Sequence, residues 1–126
     1  MKKAIISNGA PQPIGPYNQA ILKGETLYLS GQIAIHPDTN ELITGNIEAE
    51  THRVMANILA VLAAAEMSIE QVVKTTIFLK TMDDFSAVNT VYGAYFRDCI
   101  APARETVAVS GLPKNVNIEI SMIAVR

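Results

Sequence analysis

Apolar residues recur along this chain with two periods, and each switch between them marks the edge of an element. Residues 26–35, "TLYLSGQIAI", alternate among β-formers after the turn-like "KGE". They predict a strand paired with "YNQAILK", residues 17–23, in an opening hairpin. The alternation sets Leu27, Leu29, Ile33 and Ile35 on one side of that strand and Tyr28 on the other. "HPDTNELITGN" then reads as a loop whose last residue, Asn46, caps a helix carrying Glu48 and Glu50 in its first turn. The helix extends to about Glu66. Its Val54, Met55, Ile58, Leu59, Val61, Leu62 and Ala65 return at helical spacing and form one broad apolar face.

Residues 72–80, "VVKTTIFLK", are β-branched and predict a second strand unit, and Thr81 with Asp84 three residues on resembles a capping box. Phe85, Val88, Val91, Tyr92, Tyr95 and Phe96 continue at helical spacing until Pro102 forbids further helix. "RETVAVS" (104–110) and "NIEISMIAV" (117–125) close the chain as strands around the turn residues of "GLPKN". About five or six strands with only two long helices make an α+β chain, a single mixed β-sheet with two helices packed on one face. Apolar groups on both sides of the strands ask for cover on the second face, which another copy of the chain would supply.

Length and composition fit one domain over residues 1–126, since 49% of residues are hydrophobic and 17% charged. The net charge is -2 and the ten basic residues are scattered, so no cationic stripe exists to follow a phosphate backbone, and nucleic acid is not an expected partner. The longest apolar run, "ILAVLAAA", is far short of the roughly 20 residues that span a bilayer, and the apolar stretch after the two N-terminal lysines is too short for a secretion signal. With Cys99 as its one cysteine, the chain is expected to be cytoplasmic and free of membrane contact. His36 and His52 have no third ligand at metal spacing, and Cys99 has no histidine near it in sequence. No metal and no cofactor are expected, and Cys99 reads as a packed or half-exposed thiol.

The candidate chemistry lies in the last two strands. Alternation gives Arg104, Thr106, Ala108 and Ser110 one face and Val107 and Val109 the other, with the valines expected against the helices. On the final strand Ile118, Ile120, Met122 and Ala124 form the core face, leaving Asn117, Glu119 and Ser121 to share Arg104's side. Two readings of the Arg104 and Glu119 pair stand side by side. One is an interface salt bridge, which spacing alone favours. The other is a site in which the arginine fork grips a carboxylate while Glu119 handles water or a proton.

Five stretches together, "GPYNQA", "SGQI", "VVKTTIFL", "DDFSAVNTVYGAYF" and "PAR" followed by "LPKNVNIEI", resemble the Rid superfamily of the YjgF/RidA type over nearly the whole chain and in the family's order. The resemblance implies a chorismate-mutase-like fold and a homotrimer with pockets between subunits. It also implies hydrolysis of 2-iminoacids and their enamine tautomers to 2-ketoacids and ammonia, without cofactor or metal. Carried over residue by residue, it makes Arg104 the carboxylate anchor and Glu119 the group that orients the attacking water. Tyr17 becomes the pocket tyrosine, Gly31 the point of close backbone approach, and Thr106 a main-chain contact for the nitrogen end. Asn18, Glu105 and Thr106 depart from the family's commonest residues, which bears on substrate range more than on the reaction. Alternation directs Glu105 away from Arg104. The rival reading from another class is a ligand-binding, regulatory or chaperone-like trimer without catalysis.

Overall fold

The Asn46 side chain accepts a hydrogen bond from the Ala49 amide at 2.9 Å, so the longer helix starts where its capping residue requires. In the computed structural model, which describes residues 1–126, that helix, α1, spans Ile47–Ala64 and a second, α2, spans Phe85–Ala94. Six strands accompany them: β1 Lys3–Ile5, β2 Ala20–Lys23, β3 Thr26–Gln32, β4 Val72–Leu79, β5 Ala103–Ala108 and β6 Ile118–Val125. They form one mixed sheet in the order β1-β2-β3-β6-β4-β5, antiparallel throughout except for β4 beside β5. Both helices pack on one face of it. Val54, Met55, Ile58, Val61 and Leu62 of α1 meet Leu27, Leu29, Ile77, Leu79, Ile118, Ile120 and Met122 of the sheet in a continuous apolar core. The fold is the α+β arrangement that the two periodicities imply.

Several boundaries differ from the sequence pattern for local reasons. Strand β1, Lys3–Ile5, buries only Ile5, too little to register as alternation. Helix α2 stops at Ala94 because the Tyr95 and Phe96 amides bond to Tyr92 and Gly93 carbonyls three residues back, tightening the chain into turns. Thr81 caps a short 3-10 turn, accepting from the Asp83 amide at 3.2 Å, and no capping box with Asp84 forms. Helix α1 closes with Glu66 in the left-handed region at φ 58°, where the Glu66 and Met67 amides reach the Ala63 and Leu62 carbonyls at 2.9 Å each. A glycine adopts that conformation without strain, so Glu66→Gly should stabilise the fold by about 0.5–1 kcal/mol in denaturant titration.

Two expectations about faces are corrected. Strand β3 carries a register shift between Leu29 and Gln32, so Gln32 rather than Gly31 stands opposite Ile120. The extra residue reverses the alternation, and Ile33 does not share the core side with Leu27 and Leu29. Strand β5 is turned over relative to the prediction. Its parallel register pairs Arg104 with Thr75 and Ile77 with Thr106, and Thr75 and Ile77 are fully buried beneath the helices. Arg104 and Thr106 therefore face α2, while Val107 is 43% exposed on the uncovered side. At this edge strand α2 offers rings and an amide rather than aliphatic packing, which suits a guanidinium better than a valine.

No helix covers the opposite face of the sheet. Ile21, Tyr28 and Ile123 line up across β2, β3 and β6, and Glu119, Phe78 and Val107 line up across β6, β4 and β5. Tyr28 is 50% exposed there.

Candidate functional site

The bulge in β3 is where the site begins. At Gly31 a Cβ atom would stand 2.7 Å from the Glu119 Cδ and closer still to its carboxylate oxygen, so only a residue without a side chain lets the glutamate lie across this backbone. The family resemblance made Gly31 a point where backbone comes close to a ligand; within this chain the group that lies against it is the Glu119 side chain. Gly31→Ala should drive the carboxylate off its position. Stability should fall by about 1–3 kcal/mol, readable from the melting of wild type and variant.

Glu119 borders a cavity of about 350 Å³ whose walls include Pro11, Ile14, Tyr17, Gly31 and Ile33. Burial pushes its carboxyl above the usual carboxylate range, and no cation offsets that, because the one ion pair of the chain joins Lys74 to Glu105 at 2.8 Å. Tyr17 is half exposed at the cavity, with its hydroxyl 3.4 Å from the Ile14 amide. Glu119 is thus a half-buried carboxyl group without an ionic partner, in a cavity that also holds the Tyr17 phenol.

Three buried polar side chains hold these walls in place. Gln19, 3% exposed, accepts from the Ser7 amide at 2.6 Å and donates to the Ser7, Ala10 and Pro11 carbonyls at 3.0, 3.3 and 2.9 Å. It clamps the proline-rich loop onto the sheet. Asn57 of α1, fully buried, donates to the Ile33 and Ile35 carbonyls at 3.2 and 3.0 Å, satisfying backbone acceptors just beyond the end of β3. Glu50 accepts from the Asn117 backbone and side-chain nitrogens at 2.8 Å each, fixing the chain two residues ahead of Glu119. Of these, the sequence reading treated only Glu50, and only as a first-turn charge. The available signal was a polar residue on an apolar stripe, since Asn57 stands between Val54 and Val61 on the buried face of α1. Gln19→Leu should cost about 1–3 kcal/mol in a denaturation series, because one buried and two partly buried carbonyls lose their donor at once.

Arg104 and Thr106 lie elsewhere. Their face is the helix side of edge strand β5, opposite in sense to the face carrying Glu119, so a single chain does not bring Arg104 and Glu119 together as expected. The Arg104 guanidinium lies 5.1 Å from the Tyr92 ring centre and 5.8 Å from that of Phe85, and its Nη1 donates to Asn89 Oδ1 at 2.7 Å. The Thr106 hydroxyl is buried without a hydrogen-bond partner. Glu105 does point away from Arg104, tied to Lys74 and to the Thr76 hydroxyl, and these partners hold its carboxyl below the usual range.

Residues 7–126 match the family model described as endoribonuclease L-PSP. The chain belongs to this family, the YjgF/Rid family. A Rid-family structure from Yersinia pestis, YyfA, described as of unknown function, superposes with a TM-score of 0.98 at 47% identity, covering 100% of both chains. A RutC family protein of Pyrococcus horikoshii is 49% identical over 98% of each chain. A protein of Dermatophagoides farinae named 2-iminobutanoate/2-iminopropanoate deaminase is 45% identical, covering 98% of this chain and 96% of that one. The other chemistry weighed in the sequence has a different setting in this Rid-family chain. His52 Nδ1 lies 2.9 Å from the Tyr95 hydroxyl, His36 Nδ1 accepts from the Asp38 amide at 3.1 Å, and Cys99 packs half-buried against the core. No three His, Cys, Asp or Glu side chains cluster as a metal site, and no helix is long and apolar enough to cross a membrane.

Proposed function

We propose that this Rid-family chain hydrolyses 2-iminoacids and their enamine tautomers, of the 2-iminobutanoate and 2-iminopropanoate type, to 2-ketoacids and ammonia. The site is completed between copies of the chain in a homotrimer. The observation that carries the reading is the setting of two groups: a half-buried carboxyl lying across Gly31 at the cavity, and a guanidinium on the sheet's far edge held by Asn89 over the Phe85 and Tyr92 rings. A head-to-tail ring joins the edge of one copy to the cavity of the next, and the uncovered sheet face with Tyr28, Phe78 and Val107 supplies surface for the contact. The deaminase name of the mite relative supports the same chemistry.

In this site the Arg104 fork binds the substrate carboxylate through parallel hydrogen bonds, and the Thr106 main chain meets the nitrogen end. Tyr17 and the backbone at Gly31 shape the other wall. Water held by Glu119 adds to C2 of the protonated imine. One water proton passes to the Glu119 carboxylate and on to nitrogen. The C–N bond then breaks and ammonia leaves with its electron pair. The remaining O–H proton returns to Glu119 as the C2–O bond closes to the ketone, to be carried off by ammonia as ammonium. No covalent bond to the protein is needed, so positioning and a preplaced proton carrier account for the acceleration. Acting in the cytoplasm, the reaction would remove reactive imines before they damage other molecules. Cleavage of RNA is less well supported, because the chain's net charge is -2.

The test is release of ammonia and ketoacid from an imine generated in the assay by an amino-acid oxidase or a dehydratase. No acceleration over the spontaneous rate rejects the enzyme in favour of a binding or regulatory trimer. Light scattering of the dilute protein should give a trimer, and a monomer would remove the two-copy site.

A further inference from the structure

Arg104 is set among neutral groups. Its one hydrogen bond within the chain runs from Nη1 to the side-chain oxygen of Asn89 at 2.7 Å, and its planar group lies over Tyr92 and Phe85. Tyr92 is itself fixed, donating its hydroxyl to Thr75 Oγ1 at 2.9 Å. Burial pushes the Tyr92 phenol up, so it stays uncharged beneath the cation at neutral pH. The adjacent carboxylate, Glu105, is engaged on the other face by Lys74 and Thr76. Helix α2 thus orients the guanidinium through a neutral oxygen and two rings, while the nearest anion in sequence is occupied elsewhere.

We propose that Asn89 is a positioning residue whose neutrality matters as much as its reach: it fixes the Arg104 fork for an incoming carboxylate without consuming the charge that attracts it. A carboxylate at position 89 would accept the same bond and hold the arginine more firmly, but it would also compete with the substrate for the guanidinium. An amide supplies the restraint alone. Asn89 stands one turn from Phe85 and nearly one from Tyr92, so these three side chains of α2 converge on the arginine from one stripe. This inference rests on the reading of Arg104 as the anion anchor.

The experiment measures pyruvate affinity by calorimetry, KM and kcat for imine hydrolysis, and melting temperature, on wild type, Asn89→Ala, Asn89→Asp and Arg104→Ala. Pyruvate should bind wild type best, Asn89→Ala about fivefold to tenfold more weakly, and Asn89→Asp at least thirtyfold more weakly. Melting temperature should follow another order, with Asn89→Asp equal to or above wild type and Asn89→Ala below it. KM should carry most of the kinetic effect. A purely structural role predicts that affinity and stability move together, so Asn89→Asp binding pyruvate within twofold of wild type overturns the inference while leaving the functional reading intact. If wild type binds no pyruvate, or Arg104→Ala binds it as well as wild type does, the anchor role fails and the inference falls with it.

Discussion

Replacing Glu119 by glutamine should lower kcat by about 10²–10⁴-fold while pyruvate affinity changes less than about threefold. Glutamine keeps the size of the side chain and a hydrogen-bonding oxygen over Gly31, but it cannot take the proton of the attacking water. The variant should also be more stable than wild type at neutral pH. Burial raises the folded-state pKa of Glu119 above its unfolded value, so between the two values the folded chain holds more proton than the unfolded one. Stability contributed by this group therefore falls as pH rises through that window. The glutamine variant lacks this loss, and its advantage in melting temperature should grow from acid pH toward neutrality. In the wild type, kcat should decline as pH falls through the same raised pKa, because the base becomes protonated. A glutamine variant with unchanged kcat would remove Glu119 from the mechanism, and one less stable at neutral pH would contradict an unpaired, half-buried carboxyl.

Arg104→Lys should lose most of the turnover and weaken pyruvate binding by roughly tenfold to a hundredfold, although the charge is retained. An ammonium cannot form two parallel bonds to a carboxylate, cannot lie flat over Tyr92 and Phe85, and cannot meet Asn89 in the same plane. Little stability should be lost, since Arg104 makes no ion pair within its chain. Near-normal kinetics in this variant would reject the anchor role.

What the sequence disclosed follows from which signals are local. The helix start at Asn46, the core stripe of α1 and the alternation of β6 are set by neighbours within a few residues, and each is legible in the order of residues. The face of β5 is not. Arg104 and Val107 alternate whichever way the strand is turned, and only the parallel register against β4, a pairing of residues far apart in sequence, decides which of them meets α2. The bulge at Ser30 and Gly31 is equally non-local, since nothing within "LSGQI" shows that Gln32 must stand opposite Ile120. Gly31 and Tyr17 were named from family resemblance and Glu119 first from strand alternation, and their meeting at one cavity needs that bulge. Asn89 and Asn57 are not singled out by the sequence, and their partners, a guanidinium and two carbonyls, become visible only in three dimensions.

The central claim is that one site takes its anion anchor from one copy of the chain and its proton carrier from another. Arg104→Ala and Glu119→Gln, each purified alone, should be nearly inactive. They are then mixed in equal amounts, subunits are exchanged by mild denaturation and refolding, and mixed trimers are verified by native mass spectrometry. In a head-to-tail ring about a quarter of the sites then combine an intact Glu119 from one subunit with an intact Arg104 from the next. Ammonia release should recover to about that fraction of the wild-type rate. Mixed trimers as inactive as their two parents would contradict the claim, because a site built within single chains has no intact copy in any of them.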